Sequence, residues 1–187
     1  MKKLLLLVSI IMIATLASCS SKQQVVGGSQ PEWTLRGSSA EVINGQRVFR
    51  TVGIADYAGE EAMTLDESDA QARVNMSYLM KTYVKALRES YKRSIKTGEM
   101  PQAQFEKDIT HVSEVMTKSK FSFATVKNRW ISNKGTVYTL LELNLDQVNN
   151  MIKKTDGISQ NLIDTVGKRS EEAHERLQER LKEVGDF

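Results

Sequence analysis

The 187-residue chain contains one thiol, and its setting is chemically specific. Cys19 follows Leu16-Ala17-Ser18 and precedes Ser20-Ser21. Small residues ahead of a thiol let the backbone lie extended in a processing groove. A thiolate is a nucleophile, so this position suits transfer of a lipid to sulfur. A single Cys excludes a disulfide framework and every multi-cysteine zinc or iron–sulfur site. His111 and His174 are the only histidines, and neither has a second ligand at metal spacing, so no metal is expected. The chain has no Gly-x-Ser-x-Gly elbow, no phosphate-binding loop and no Rossmann fingerprint. No cofactor and no catalytic residue are assigned, and the expectation is a protein that is not an enzyme. Carboxylates that converge only in space, as a cell-wall hydrolase needs, stay open as an alternative.

The residues before Cys19 say how the thiol would be used. Met1-Lys2-Lys3 is a short basic start, and Leu4 to Leu16 is apolar apart from Ser9 and Thr15. A helix of that length spans about 20 Å, short of the roughly 30 Å hydrocarbon core. A signal segment fits better than a membrane span. With Leu16-Ala17-Ser18-Cys19 at its end, the segment resembles a bacterial lipoprotein signal with its lipobox. That resemblance implies cleavage after Ser18, a diacylglyceryl thioether on Cys19, often an additional N-acyl chain, and a protein held at the membrane by lipid. Ser20 rather than Asp after the cysteine points to the outer membrane, on either face. Ser20 to Gln30 (SSKQQVVGGSQ) reads as a flexible tether of at most about 36 Å.

Composition agrees with an envelope domain. Hydrophobic residues make up 40% and aromatics 6%, enough for an aliphatic core. The 26 basic and 23 acidic residues nearly balance once Lys2 and Lys3 are set aside, which argues against nucleic-acid binding. Four domain segments are expected: 1–18 signal, 19–30 lipidated Cys and tether, 31–145 an α+β domain, and 146–187 a C-terminal helix.

Two surfaces are candidates for contact. Lys81, Lys85, Arg88, Lys92 and Lys96 recur at helical spacing and share one side of a long helix. They suit lipid phosphates or an anionic cell-wall polymer, or else form a solvated face that complements the helix dipole. Leu162, Val166, Ala173, Leu177, Leu181 and Val184 form a narrow apolar stripe among charged residues. This is the pattern of a self-association or partner seam, with packing on the domain's own sheet as the alternative.

The elements that must position these residues follow from periodicity. Asn44-Gly45 is a hairpin signal, and Arg47 to Tyr57 reads as a strand. Thr64-Leu65-Asp66-Glu67 matches a capping box and predicts a helix to about Gly98, with Met76, Met80, Tyr83, Leu87, Tyr91 and Ile95 as its core stripe. Pro101 suits the first turn of a second helix carrying Phe105, Ile109, Val112 and Met116. Phe121–Ile131 and Thr136–Leu145 read as a hairpin pair. From Asp146 to Val184 the pattern is helical, with breaks at Gly157 and Gly167. The β-α-α-β-β-α order implies a small antiparallel sheet with helices packed on one face and a long C-terminal helix, an extra short strand preceding the first. Gly53 within its strand, with Ala70 and Ala72 on the helix, marks a close helix–strand approach.

Pro31-Glu32-Trp33, Val52-Gly53-Ile54-Ala55, Ala70-Gln71-Ala72-Arg73 and the strand pair around Trp130 and Val137-Tyr138 occur in this order after the lipobox. The chain resembles the LPP-twenty family of small bacterial outer-membrane lipoproteins over roughly residues 31–145, although Gly59 to Asp69 departs in detail. The resemblance implies a non-enzymatic structural, assembly or binding role in the cell envelope, or association with flagellar outer-membrane structures. The partners expected are the membrane, through Cys19, and a second copy of the chain or another envelope protein.

Overall fold

The computed structural model describes residues 24–96, 101–154 and 160–185. The strands are β1 (Gln24–Val26), β2 (Ser39–Ile43), β3 (Gln46–Ala55), β4 (Ala124–Ile131) and β5 (Val137–Asn144). The helices are α1 (Glu61–Lys96), α2 (Gln102–Ser122), α3 (Leu145–Lys154) and α4 (Gln160–Gly185). The fold is α+β, with a C-terminal helix as expected.

The sheet order is β1-β4-β5-β3-β2. β2 to β5 pair antiparallel, and β1 joins β4 in parallel as an edge strand, Val25 opposite Trp130. β2 and β3 form the hairpin announced by Asn44-Gly45. Both turn residues have positive φ, 51° and 76°, the geometry that matches strand twist across a two-residue turn. β1 corrects the tether expectation. Gln24–Val26, placed in a flexible segment by their Gly/Ser-rich neighbours, are paired backbone.

One sheet face carries Phe49, Thr51 and Gly53 of β3 with Thr139, Leu141 and Leu143 of β5, all buried. The helices pack here. Phe49 meets the Tyr83 ring edge-on, centroids 5.2 Å apart, and stacks on His174 at 5.9 Å. Met76, Met80, Tyr83 and Leu87 are buried as their spacing required, as are Ile109 and Val112 on α2. The side chains of Tyr91, Ile95, Phe105 and Met116 lie outside the described residues.

The opposite face is crossed by the chain between β1 and β2. These strands occupy opposite edges, so residues 27–38 must cross the sheet, and helices already fill one side. The crossing contains a 3-10 turn, Glu32–Thr34, that touches β5. Trp130 Nε1 donates to the Gly27 carbonyl at 3.2 Å on this side. On this face Val48, Val52 and Leu140 are buried. Beside them a charge ladder crosses four strands: Lys127 to Glu142 (3.2 Å), Arg50 to Glu142 (2.9 Å) and Arg50 to Glu41 (3.3 Å).

Several boundaries move; Phe121 and Ser122, expected to open a strand, end α2 instead. α1 begins at Glu61, and Thr64 sits inside its first turn, donating to the Glu60 carbonyl at 2.9 Å. α4 runs unbroken through Gly167, and the expected break at Gly157 lies outside the described residues. α3 starts directly on β5, where the Asn144 side-chain oxygen accepts from the backbone N–H of Asp146 (2.9 Å) and Gln147 (3.1 Å).

Candidate membrane-facing surface

α1 is amphipathic through its described side chains from Ala72 to Lys92. Its inner side supplies the core and its outer side is free. At 100° per residue, Val74, Tyr78, Lys81, Lys85, Arg88 and Lys92 fall within an arc of about 80°. Lys81, Lys85, Arg88 and Lys92 are all exposed. Val74 is 45% and Tyr78 63% exposed at the upstream end of the same line. The Lys81 ammonium lies 5.5 Å from the centroid of the Tyr78 ring. The structure therefore adds two apolar residues that the sequence reading left out of the basic stripe. The Lys96 side chain lies outside the described residues.

Of the acids near the stripe, one is engaged elsewhere and one touches it. Glu89 points to Arg180 of α4 at 2.9 Å, tying α1 to α4. Glu106 of α2 pairs with Arg88 at 3.2 Å, but both side chains are about half exposed, so that pair contributes little. The first acid along the line upstream is Glu67, about two turns before Val74.

The apolar stripe of α4 is used within the domain. Ala173 and Leu177 are fully buried in the core, and Leu181 packs against it half-buried. Gln178 Nε2 donates to the Ala40 carbonyl at 2.7 Å, and Arg47 donates to the Ser170 hydroxyl at 2.9 Å. Ala173 and Leu177 thus take the second alternative, packing on their own sheet and α1, and are not open to a partner. The side chains of Leu162, Val166 and Val184 lie outside the described residues, as does Cys19.

A polar cleft of about 350 Å³ lies where α4 meets the β2–β3 hairpin. Arg47, Asp146, Glu171, His174, Glu175 and Gln178 are among its lining residues. Both Asp146 oxygens accept from Arg47, one from Nε at 3.0 Å and the other from the backbone N–H at 3.2 Å. His174 is 2% exposed, and its Nε2 has no hydrogen-bond partner among the described residues. Burial, then the nearby Arg47 guanidinium, hold this imidazole below its ordinary pKa and hence neutral. The cleft therefore offers a neutral imidazole, the Asp146 carboxylate already held in an ion pair, and the exposed carboxylates of Glu171 and Glu175 on α4. No group of three or more metal-ligating side chains occurs among the described residues.

A second polar cluster fastens the start of α1 to the sheet. Asp69 accepts from Arg129 Nε at 3.2 Å and from the Thr139 hydroxyl at 2.9 Å. Thr139 and Ser68 hydroxyls lie 2.7 Å apart. The cluster thereby fixes the start of α1 against β4 and β5.

No protein-family model, curated protein or solved structure matches this chain.

Proposed function

We propose that the chain is a lipid-anchored bacterial envelope protein whose α+β domain does structural, assembly or binding work at the outer membrane, without catalysis. One observation carries this reading. Only four residues separate the end of the basic start, short apolar run and Leu16-Ala17-Ser18-Cys19 from the first paired strand, β1 at Gln24. A thiol in that setting has an evident use as a lipid attachment point. The acceptor site is followed by just enough chain to leave a bilayer before folded structure begins. A likeness to the LPP-twenty lipoproteins in the order of short motifs supports the same role.

Two or more acyl chains make the anchor effectively permanent, because each buried methylene contributes about 0.8 kcal/mol. No helix among the described residues is long and apolar enough to cross a membrane. The test is fractionation of cells making the parent or Cys19→Ser. The parent is expected in the outer-membrane fraction. The variant is expected to leave it, and co-fractionation of both with the outer membrane would refute the proposal.

A further inference from the structure

We infer that the outer face of α1 from Val74 to Lys92 is a second membrane contact, lying along the anionic headgroups of the bilayer that holds Cys19. The inference rests on the lipid-anchor reading and adds an orientation to it.

The first support is reach. β1 shortens the tether, so Cys19 and Gln24 are separated by five Cα steps, at most about 18 Å. A domain of this size has a radius of gyration of about 15 Å. The anchor therefore holds the domain against the bilayer, and some face of it meets headgroups at high effective concentration. A surface too weak to bind a membrane alone suffices there.

The second support is the chemistry of the faces on offer. On the helix-free side the ladder charges neutralise one another, Lys127 with Glu142 and Arg50 with Glu142 and Glu41. The α1 face instead presents Lys81, Lys85, Arg88 and Lys92, exposed and in line; Glu89 is turned to Arg180, and Glu106, the acid that touches the line, meets Arg88 in a half-exposed pair that water screens. The line runs about 27 Å along the helix. Val74 and Tyr78 continue it with apolar and aromatic surface, the residue types that settle at headgroup depth. Lysine stems can lie along that surface while their ammonium groups reach phosphate. The inner side of α1 is committed to the sheet, so the helix lies on the membrane and does not enter it.

The test uses the full lipidated protein. With Cys19 alkylated, Val74→Cys supplies a lone free thiol for an environment-sensitive fluorophore. The protein is placed on vesicles of phosphatidylcholine alone or containing phosphatidylglycerol, and flotation is scored in parallel. On phosphatidylglycerol vesicles the probe emission is expected to rise, and a lipid-borne quencher should reach it. About 1 M salt, where the Debye length is ~3 Å, should reverse both changes. Lys85→Gln should weaken docking about fivefold, as expected for one basic residue at an anionic surface. The same probe at Glu171→Cys on α4 should not respond. Flotation on both vesicle types with unchanged emission at Val74→Cys overturns the inference and leaves the anchor standing. Failure to float on either type overturns the anchor and the inference with it. A response to a soluble anionic cell-wall polymer on phosphatidylcholine vesicles, with none to phosphatidylglycerol, assigns the face to another partner and overturns the inference too.

Discussion

Gly53 is where β3 and α1 come closest, and replacing it tests how the two layers are joined. A Cβ at Gly53 would lie 1.9 Å from the Ser68 carbonyl oxygen, 2.4 Å from the Ala72 nitrogen and 2.9 Å from the Ala72 Cβ. Two of the three obstacles are helix backbone, which cannot rotate away as a side chain can. Gly53→Ala must therefore push α1 off the sheet by an ångström or more. Three bonds straddle the contact: Thr51 to the Ala72 carbonyl (2.9 Å), Asn75 to the Val52 carbonyl (2.8 Å) and Ser68 to Thr139 (2.7 Å). In an unobstructed strand, Ala for Gly would stabilise by up to about 1 kcal/mol through the unfolded state. Overpacking costs about 1–3 kcal/mol, and each buried hydrogen bond left broken adds about 1 kcal/mol or more. The net expectation is a loss of about 3 kcal/mol or more, read as a lower urea midpoint followed by far-UV circular dichroism. Adding Ala72→Gly removes the mildest of the three contacts, so the double variant should recover little. A Gly53→Ala protein as stable as the parent would refute the close approach.

Other perturbations should behave as follows. Leu177→Ala, deep in the core on α4, should cost about 2–5 kcal/mol in chemical denaturation and leave the solution mass unchanged; a lowered mass with little loss of stability would restore the self-association seam. Asp69→Ala should cost about 2 kcal/mol or more, because Arg129 loses its partner in a mostly buried site, while Asp69→Ala with Arg129→Leu should recover part of that loss, as a double-mutant cycle would show. His174 has a folded-state pKa below 6.5, so the unfolded chain binds its proton first on acidification. Stability should be full above about pH 6.5 and fall toward the folded value by up to about 1.4 kcal/mol per pH unit. His174→Gln should flatten that part of the pH–stability curve, and an identical slope in the variant would remove the imidazole as its source.

The core elements were legible because their signals are periodic and local. Met76, Met80, Tyr83 and Leu87 are spaced for one helical face, and Asn44-Gly45 has the chemistry of a two-residue turn. Gly53 and Ala72 marked the helix–strand contact in advance, while Ala70, expected beside them, is exposed. β1 was not legible. It has three residues, sits among Gly and Ser, and owes its pairing to β4, more than a hundred positions away. For the α4 stripe the sequence left two alternatives, and Ala173 and Leu177 take the one that packs on their own sheet. The narrowness of the stripe suggested a seam, but polar residues beside it also pack inward, Ser170 and His174 fully buried and Gln178 on the Ala40 carbonyl, so the buried face is wider than its apolar residues. The Arg47–Asp146 pair joins positions 99 apart and carries no local signal. Of the surface stripe, the bases were visible in the sequence, but the exposure of Val74 and Tyr78 was not, since apolar residues on a helix read first as core.

The decisive measurement concerns Cys19. Protein extracted from bacterial membranes with detergent should give an intact mass that begins at Cys19 and exceeds the bare chain by a diacylglyceryl group, with or without a further acyl chain. The N-terminal peptide should carry the added mass on sulfur. A membrane-extracted chain that retains residues 1–18, or that begins elsewhere with an unmodified Cys19 thiol, would contradict the lipid anchor and the orientation built on it.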